Sequence, residues 1–140
     1  MTIRYVFWIN WNAALCSNEN QFLSALPPAL RPAWSHRMVE LLSTTGVLIC
    51  GEWPSDKDPR AGGPPWPLPP QVYLNHLLRP GKDLPYGEDG KFVEDRLGPA
   101  SKEGLKRIEH IRPRLTHPAG MTEDGLVNDW ISVWKHASAA

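Results

Sequence analysis

The sequence predicts an α/β fold on three observations. Leu30, Trp34, Met38, Leu41 and Leu42 fall at the spacing of one face of a 3.6-residue helix. Ser43-Thr44-Thr45-Gly46 then leads into Val47-Leu48-Ile49-Cys50-Gly51-Glu52-Trp53, a nearly all-apolar run of the kind seen in a strand covered on both faces. Helix, tight turn and buried strand make up half of a βαβ unit. Shortly after that strand comes Gly63-Pro64-Pro65-Trp66. Glycine lets the backbone close in without a Cβ, and the prolines fix φ, so this loop is preorganised. Ligands of open α/β sheets bind just outside the carboxyl ends of strands, so a stiff, Trp-tipped loop there reads as one wall of a small-molecule pocket.

The totals set the frame. A chain of 140 residues is one domain with enough length for one core. Its 15 basic and 15 acidic residues cancel, which implies no basic face and argues against nucleic acid and anionic membranes as partners. The 15 prolines are about twice the usual share of roughly 5%. Two cysteines, Cys16 and Cys50, suit a reducing compartment, and Cys50 sits inside the strand run as a small apolar residue. No apolar run approaches the length of a membrane span, and Asn10 and Asn12 interrupt the apolar start as they would not in a signal peptide. These features predict a cytoplasmic protein.

Along the chain, Tyr5, Phe7, Ile9 and Trp11 alternate with Val6 and Trp8, so Arg4 to Trp11 reads as a strand with two apolar faces. Cys16 to Asn20 is a polar break, and Phe22 to Leu26 a short apolar run closed by Pro27-Pro28. Pro32 fits the first turn of the Leu30–Leu42 helix. Pro54 to Pro70 is an irregular loop with seven prolines. Val72, Tyr73, Leu77 and Leu78 predict a short helix over 71–78, and Arg79 to Gly104 reads as a surface loop. Leu105 to Leu115 is a strand or short helix, read as a strand. After a turn over 117–125, Val127 to Trp134 is a strand. These last two strands are expected to pair as an antiparallel hairpin attached to a parallel sheet.

Several blocks, taken in order, resemble a known family. They are Phe22 to Pro28, Arg31-Pro32-Ala33-Trp34, Arg37-Met38 with Glu40-Leu41-Leu42, and Gly46 to Pro54. Lys57-Asp58-Pro59, Gly62-Gly63-Pro64-Pro65-Trp66 and the closing Trp130 to Lys135 complete the series. Together they resemble the fungal branch of the thiopurine S-methyltransferase family, which includes halide and thiol methyltransferases. The resemblance covers about Phe22 to Lys135, and Lys-Asp-Pro followed by Gly-Gly-Pro-Pro-aromatic is its most specific part. It implies part of a class I, Rossmann-like methyltransferase fold, with Gly46–Trp53 as strand five and residues 105–115 and 127–135 as strands six and seven. The family's upstream cofactor half, with its Gly-rich loop, has no counterpart here, since no glycine precedes Gly46. The chain therefore reads as a divergent lead-in over 1–21 and the carboxyl-terminal portion of a methyltransferase-like domain over 22–140.

The resemblance implies S-adenosylmethionine as cofactor and a small thiol or similar nucleophile as methyl acceptor. Methyl transfer from a sulfonium to a thiolate needs alignment and a dry, shaped site more than an acid or base. Aromatic faces favour a sulfonium cation. Trp53, Pro54, Pro65 and Trp66 are the implied substrate-pocket wall, and Gln21 and Phe22 fall where the family's chain passes the cofactor. No residue is assigned a catalytic role and none a metal. Trp53 serves equally as a core plug or a wall. Trp34, Trp130 and Trp134 read as core, the five histidines as exposed or structural, Asp56 and Asp58 as a solvated turn, and Glu52 as emerging into water at the sheet's mouth. Two readings of activity stay open: a thiol S-methyltransferase acting in fungal secondary metabolism or detoxification, and a truncated, inactive fragment or binding module. An unpaired inner sheet edge favours self-association in either case. A weaker third reading takes Pro64–Pro70 as a polyproline ligand.

Overall fold

A computed structural model describes residues 8–10, 13–15 and 19–138 of the chain, with side chains from Phe22 onward. β1 (Trp8–Asn10) and β2 (Ala13–Leu15) pair antiparallel. The remainder of the strand predicted over Arg4–Trp11, and Cys16 of the predicted polar break, lie outside the described residues. α1 (Glu19–Ala25) takes up the end of that break and most of the Phe22–Leu26 run, and α2 covers Arg31–Leu41. β3 (Leu48–Glu52), α3 (Pro70–Leu78), β4 (Leu105–Ile111) and β5 (Trp130–His136) follow.

The main sheet has the order β3–β5–β4, and β5 runs antiparallel to both neighbours. The antiparallel pairing of the last two strands is as expected. The parallel sheet to which they were to be attached is replaced by a third antiparallel partner. The cause is topological: β4 lies at the far edge, and the 112–129 connection turns the chain back so that β5 fills the gap beside β3. Among the described residues β5 is the one strand that pairs with β3.

Strand alternation assigns the faces. Leu48, Cys50 and Glu52 of β3 are buried, while Ile49 and Gly51 are half-buried. Through the pairs Leu48–Trp134 and Cys50–Ser132, the inner face continues into β5. Ile49, Val133 and Ile131 share the outer face with Ile111 of β4. That face is only half covered, so the near-continuous apolar run of β3 does not signal two buried faces. β4 keeps its register by a bulge between Arg107 and Glu109, which leaves Ile108 exposed.

The helices cover the inner face. Leu23, Trp34, Met38 and Leu42 meet Leu48, Cys50 and Trp134 in one core that also takes in Val72, Tyr73 and Leu77 of α3. Trp34 meets Tyr73 edge-on at 5.8 Å, a favoured aromatic geometry, and the Tyr73 hydroxyl donates to the Gly51 carbonyl. Trp34 and Trp134 are core residues as expected, whereas Trp130 is half-buried.

α2 corrects the predicted helix face. Leu30 and Leu41 are exposed, and the buried stripe is Arg31, Trp34, Ser35, Met38 and Leu42. These fall at i, i+3, i+4, i+7 and i+11, an equally good helical spacing that hydrophobicity alone passes over because it contains an arginine and a serine. Gly46 ends the turn after α2, where a Cβ would meet Ser43 Oγ at 2.7 Å.

Leu77→Ala removes a fully buried side chain and is expected to cost about 2–5 kcal/mol in denaturant unfolding, whereas Leu126→Ala, 62% exposed, should change stability by less than about 0.5 kcal/mol.

Candidate functional site

The carboxyl end of β3, the start of β5 and the end of β4 meet at one margin of the sheet. Glu52 is the last residue of β3, and its carboxyl group is not in water. It is fully buried, because the alternation that turns Leu48 and Cys50 inward turns Glu52 inward as well. Its Oε2 lies 3.1 Å from Nε2 of His110, a hydrogen bond that links β3 to β4 across β5. The Ser132 hydroxyl stands between them in the register, and its oxygen accepts the Trp134 indole N–H at 2.8 Å. Burial pushes the Glu52 carboxyl above its ordinary range, opposed by hydrogen bonds from Ser132 and His110 and by the charge of Arg107. The His110 ring stacks on Trp130 at 4.3 Å, and the Arg112 guanidinium also lies over that indole.

A second carboxylate–imidazole pair stands beside the first. Asp129, just before β5, is buried and accepts the Thr116 hydroxyl, with His117 Nε2 at 3.5 Å. Gly120 backs onto this carboxylate so closely that a Cβ would overlap it. Trp53 covers the group: its ring meets that of His117 edge-on at 5.5 Å, and its Nε1 donates to the Ala119 carbonyl.

The proline loop is pinned throughout its length. The carbonyl of buried Pro54 accepts the Leu68 amide, and the Trp66 amide donates to the Ser24 carbonyl of α1 at 2.7 Å. Lys57 Nζ donates to the carbonyls of Gly62 and Pro65, closing the loop on itself. The Trp66 ring folds over Gly63, where a Cβ would lie 2.6 Å from Trp66 Cγ. Pro65 and Trp66 are half-buried. Trp53 is therefore held against the 117–120 turn and Trp66 against α1. Phe22 packs on the core from α1, and the side chain of Gln21 lies outside the described residues.

Asp56 and Asp58 are exposed, as expected of a turn; Asp56 accepts the Asn128 amide, and hydrogen bonds from the Arg60 side chain and backbone hold the Asp58 carboxyl at about 2. Among the described residues no group of three His, Cys, Asp or Glu side chains is placed to hold a metal ion.

Sequence reasoning missed a third cluster. Arg31, at the start of α2, is 4% exposed and donates from Nη1 to the Tyr86 hydroxyl at 3.1 Å and from Nη2 to the Pro67 carbonyl at 2.8 Å. Tyr86 Oη lies 2.9 Å from Nε2 of His76, itself 1% exposed on α3. Burial, helped by the Arg31 charge, holds His76 down at about 3, and burial holds the Tyr86 phenol above its ordinary range. The rotated stripe of α2 was the available signal, since an arginine one residue after Leu30 completes it. Two clefts are also present. One, about 180 Å³, is lined in part by His76 and Tyr86; the other, about 350 Å³, lies between Pro59, Pro69 and the 90–94 segment. Neither is lined by Trp53 or Trp66.

Compared with known proteins, the chain matches no family model, no curated protein and no solved structure.

His76 sets a pH dependence. Its folded value lies below that of the unfolded chain, so only the unfolded state takes up this proton between about pH 6.5 and 3, and stability falls as pH drops through that window. The slope from this one group approaches about 1.4 kcal/mol per pH unit. His76→Gln should flatten the pH–stability curve over that window in urea titrations, and a curve as steep as the wild type would contradict the assignment.

Proposed function

We propose that the chain is the sheet-edge portion of a class I, S-adenosylmethionine-dependent methyltransferase domain of the thiol S-methyltransferase type, acting in the cytoplasm on a small thiol. The observation that carries this reading is the proline loop beyond the carboxyl end of β3, pinned by Lys57, Leu68 and Trp66, with Trp53 held at its base. Ligands of α/β sheets bind at that end, and a preorganised aromatic wall suits an in-line displacement that depends on alignment. The antiparallel pairing of β4 with β5 beside β3 agrees with strands six and seven at the edge of such a sheet.

His110, held by Glu52 and 22% exposed, serves as the proton acceptor at this end of the sheet. Methyl transfer then forms a carbon–sulfur bond to the acceptor and breaks one in the sulfonium donor. In this reading Trp53, Pro54, Pro65 and Trp66 border the acceptor, while Gln21 and Phe22 lie toward the cofactor. No residue is proposed to bind a metal.

A non-catalytic reading has its own support. Ile111 is exposed on the outer face of the sheet and Ile108 at the β4 bulge, with Leu115 and Leu126 exposed on the following connection, apolar surface suited to a partner or a second copy of the chain.

Calorimetric titration of the folded chain with S-adenosylmethionine separates the two readings. Saturable binding, with methyl transfer to a small thiol reduced by Trp53→Ala and by Trp66→Ala by roughly tenfold each, is the expected result. A folded chain that binds no S-adenosylmethionine, or rates unchanged in both variants, would leave the non-catalytic reading.

A further inference from the structure

The larger of the two clefts, about 350 Å³, falls within the roughly 300–1,000 Å³ of small-molecule sites. It lies where three stiff segments meet. Pro59 and Pro69 come from the proline loop, Val72 from α3, and Gly90 and Phe92 from the 85–93 turn. That turn closes on itself through the Tyr86–Phe92 bridge. The Val93 amide donates to the Pro85 carbonyl, and the Gly87 amide to the Lys91 carbonyl. Gly90 seats the turn on the proline loop: its φ is 74°, and a Cβ there would lie 2.7 Å from the Pro59 carbonyl oxygen. Val72 is buried in the core, and the Phe92 ring packs on that of Tyr86 at 4.4 Å. Walls that are already ordered lose little entropy when a ligand enters.

The lining divides by chemistry. Pro59, Pro69, Val72 and Phe92 make it apolar on one part. Lys91 and Glu94 give it two exposed charges of opposite sign. Among the described residues neither forms an ion pair, with the other or with a third group. Asp58 feels the Lys91 charge but is itself held by Arg60. Gln71 adds a donor and an acceptor to the same lining.

One unpaired charge of each sign beside an apolar wall matches a ligand with a carboxylate and an ammonium at one end and an apolar body at the other. Phe92 offers that body an aromatic ring to meet.

We propose that this cleft binds a free aromatic α-amino acid. Lys91 meets its carboxylate, Glu94 meets its ammonium, and its ring lies among Phe92, Val72 and the two prolines. Binding needs no S-adenosylmethionine, so this proposal and the methyl-transfer reading can fail separately.

The test is a titration of the full chain with L-phenylalanine at neutral pH and low salt, read from backbone amide resonances. The expected result is saturable shifts at Val72, Gly90 and Phe92, with a dissociation constant of roughly millimolar or tighter. Phenylpropionate lacks the ammonium and phenethylamine lacks the carboxylate, and each should bind roughly fivefold more weakly. Lys91→Gln should erase the preference over phenethylamine, and Glu94→Gln the preference over phenylpropionate. Both side chains are exposed and unpaired, so neither change removes a contact of the fold. Absence of saturation, or shifts confined to other parts of the chain, would overturn the proposal. So would equal affinity for the three compounds, or preferences that survive both substitutions.

Discussion

The insertion of β5 between β3 and β4 is the constraint on which the rest of the structure depends. A central strand bonds to a neighbour on each side, so β5 fixes where both other strands lie. Its inward residues then do two kinds of work. Trp134 faces Leu48 and fills the middle of the core, and Ser132, two residues earlier, carries polar contacts toward Glu52 and His110. Without that strand the helices would have no surface to cover, and the Glu52 carboxyl would have neither its histidine nor its hydroxyl.

Polar groups are concentrated where the elements end. Glu52 closes β3, Asp129 precedes β5, His110 lies near the end of β4 and Arg31 opens α2. In each case a charged or ionisable side chain is carried under cover by the regular geometry of its element and is met by a group from another part of the chain. Buried groups of this kind are costly when half-satisfied, and each of Arg31, Glu52, His76 and Asp129 keeps one buried polar atom without a hydrogen-bond partner. The proline loop uses the opposite device. Its backbone carbonyls are answered by Lys57 and by neighbouring amides, and stiffness rather than a packed core holds its shape.

Much of the fold was legible in the sequence. The existence of α2, the strand at β3, the short helix at 70–78 and the two late strands are each in place, because each is encoded locally by spacing or by bounding Gly and Pro, whereas the buried face of α2 is not the one its leucines mark. The α/β class follows from them. What was not legible depends on pairing at a distance. Nothing in Leu105–Ile111 says that it takes the outer edge and leaves the central place to Trp130–His136. Glu52 looked like a residue at a wet margin until alternation and His110, 58 positions later, put it under cover. Arg31 was hidden in the same way, since an arginine is scored as surface and its partner Tyr86 lies in a segment read as loop. The aromatic loop was legible as a rigid element from its glycines and prolines, but the anchors of Trp53 at Ala119 and of Trp66 at Ser24 were not.

Hydrogen exchange under native conditions tests the central role of β5 most directly. In an antiparallel sheet the amides of a middle strand are bonded alternately to its two neighbours, so none is left to open alone. The account predicts that the amides of Ser132, Val133 and Trp134 exchange slowest in the chain, together with the β3 amides that face them, and only through global unfolding. Exchange of these amides as fast as those of the 79–104 segment would contradict it, because β5 would then be an attachment to the fold rather than its organising strand.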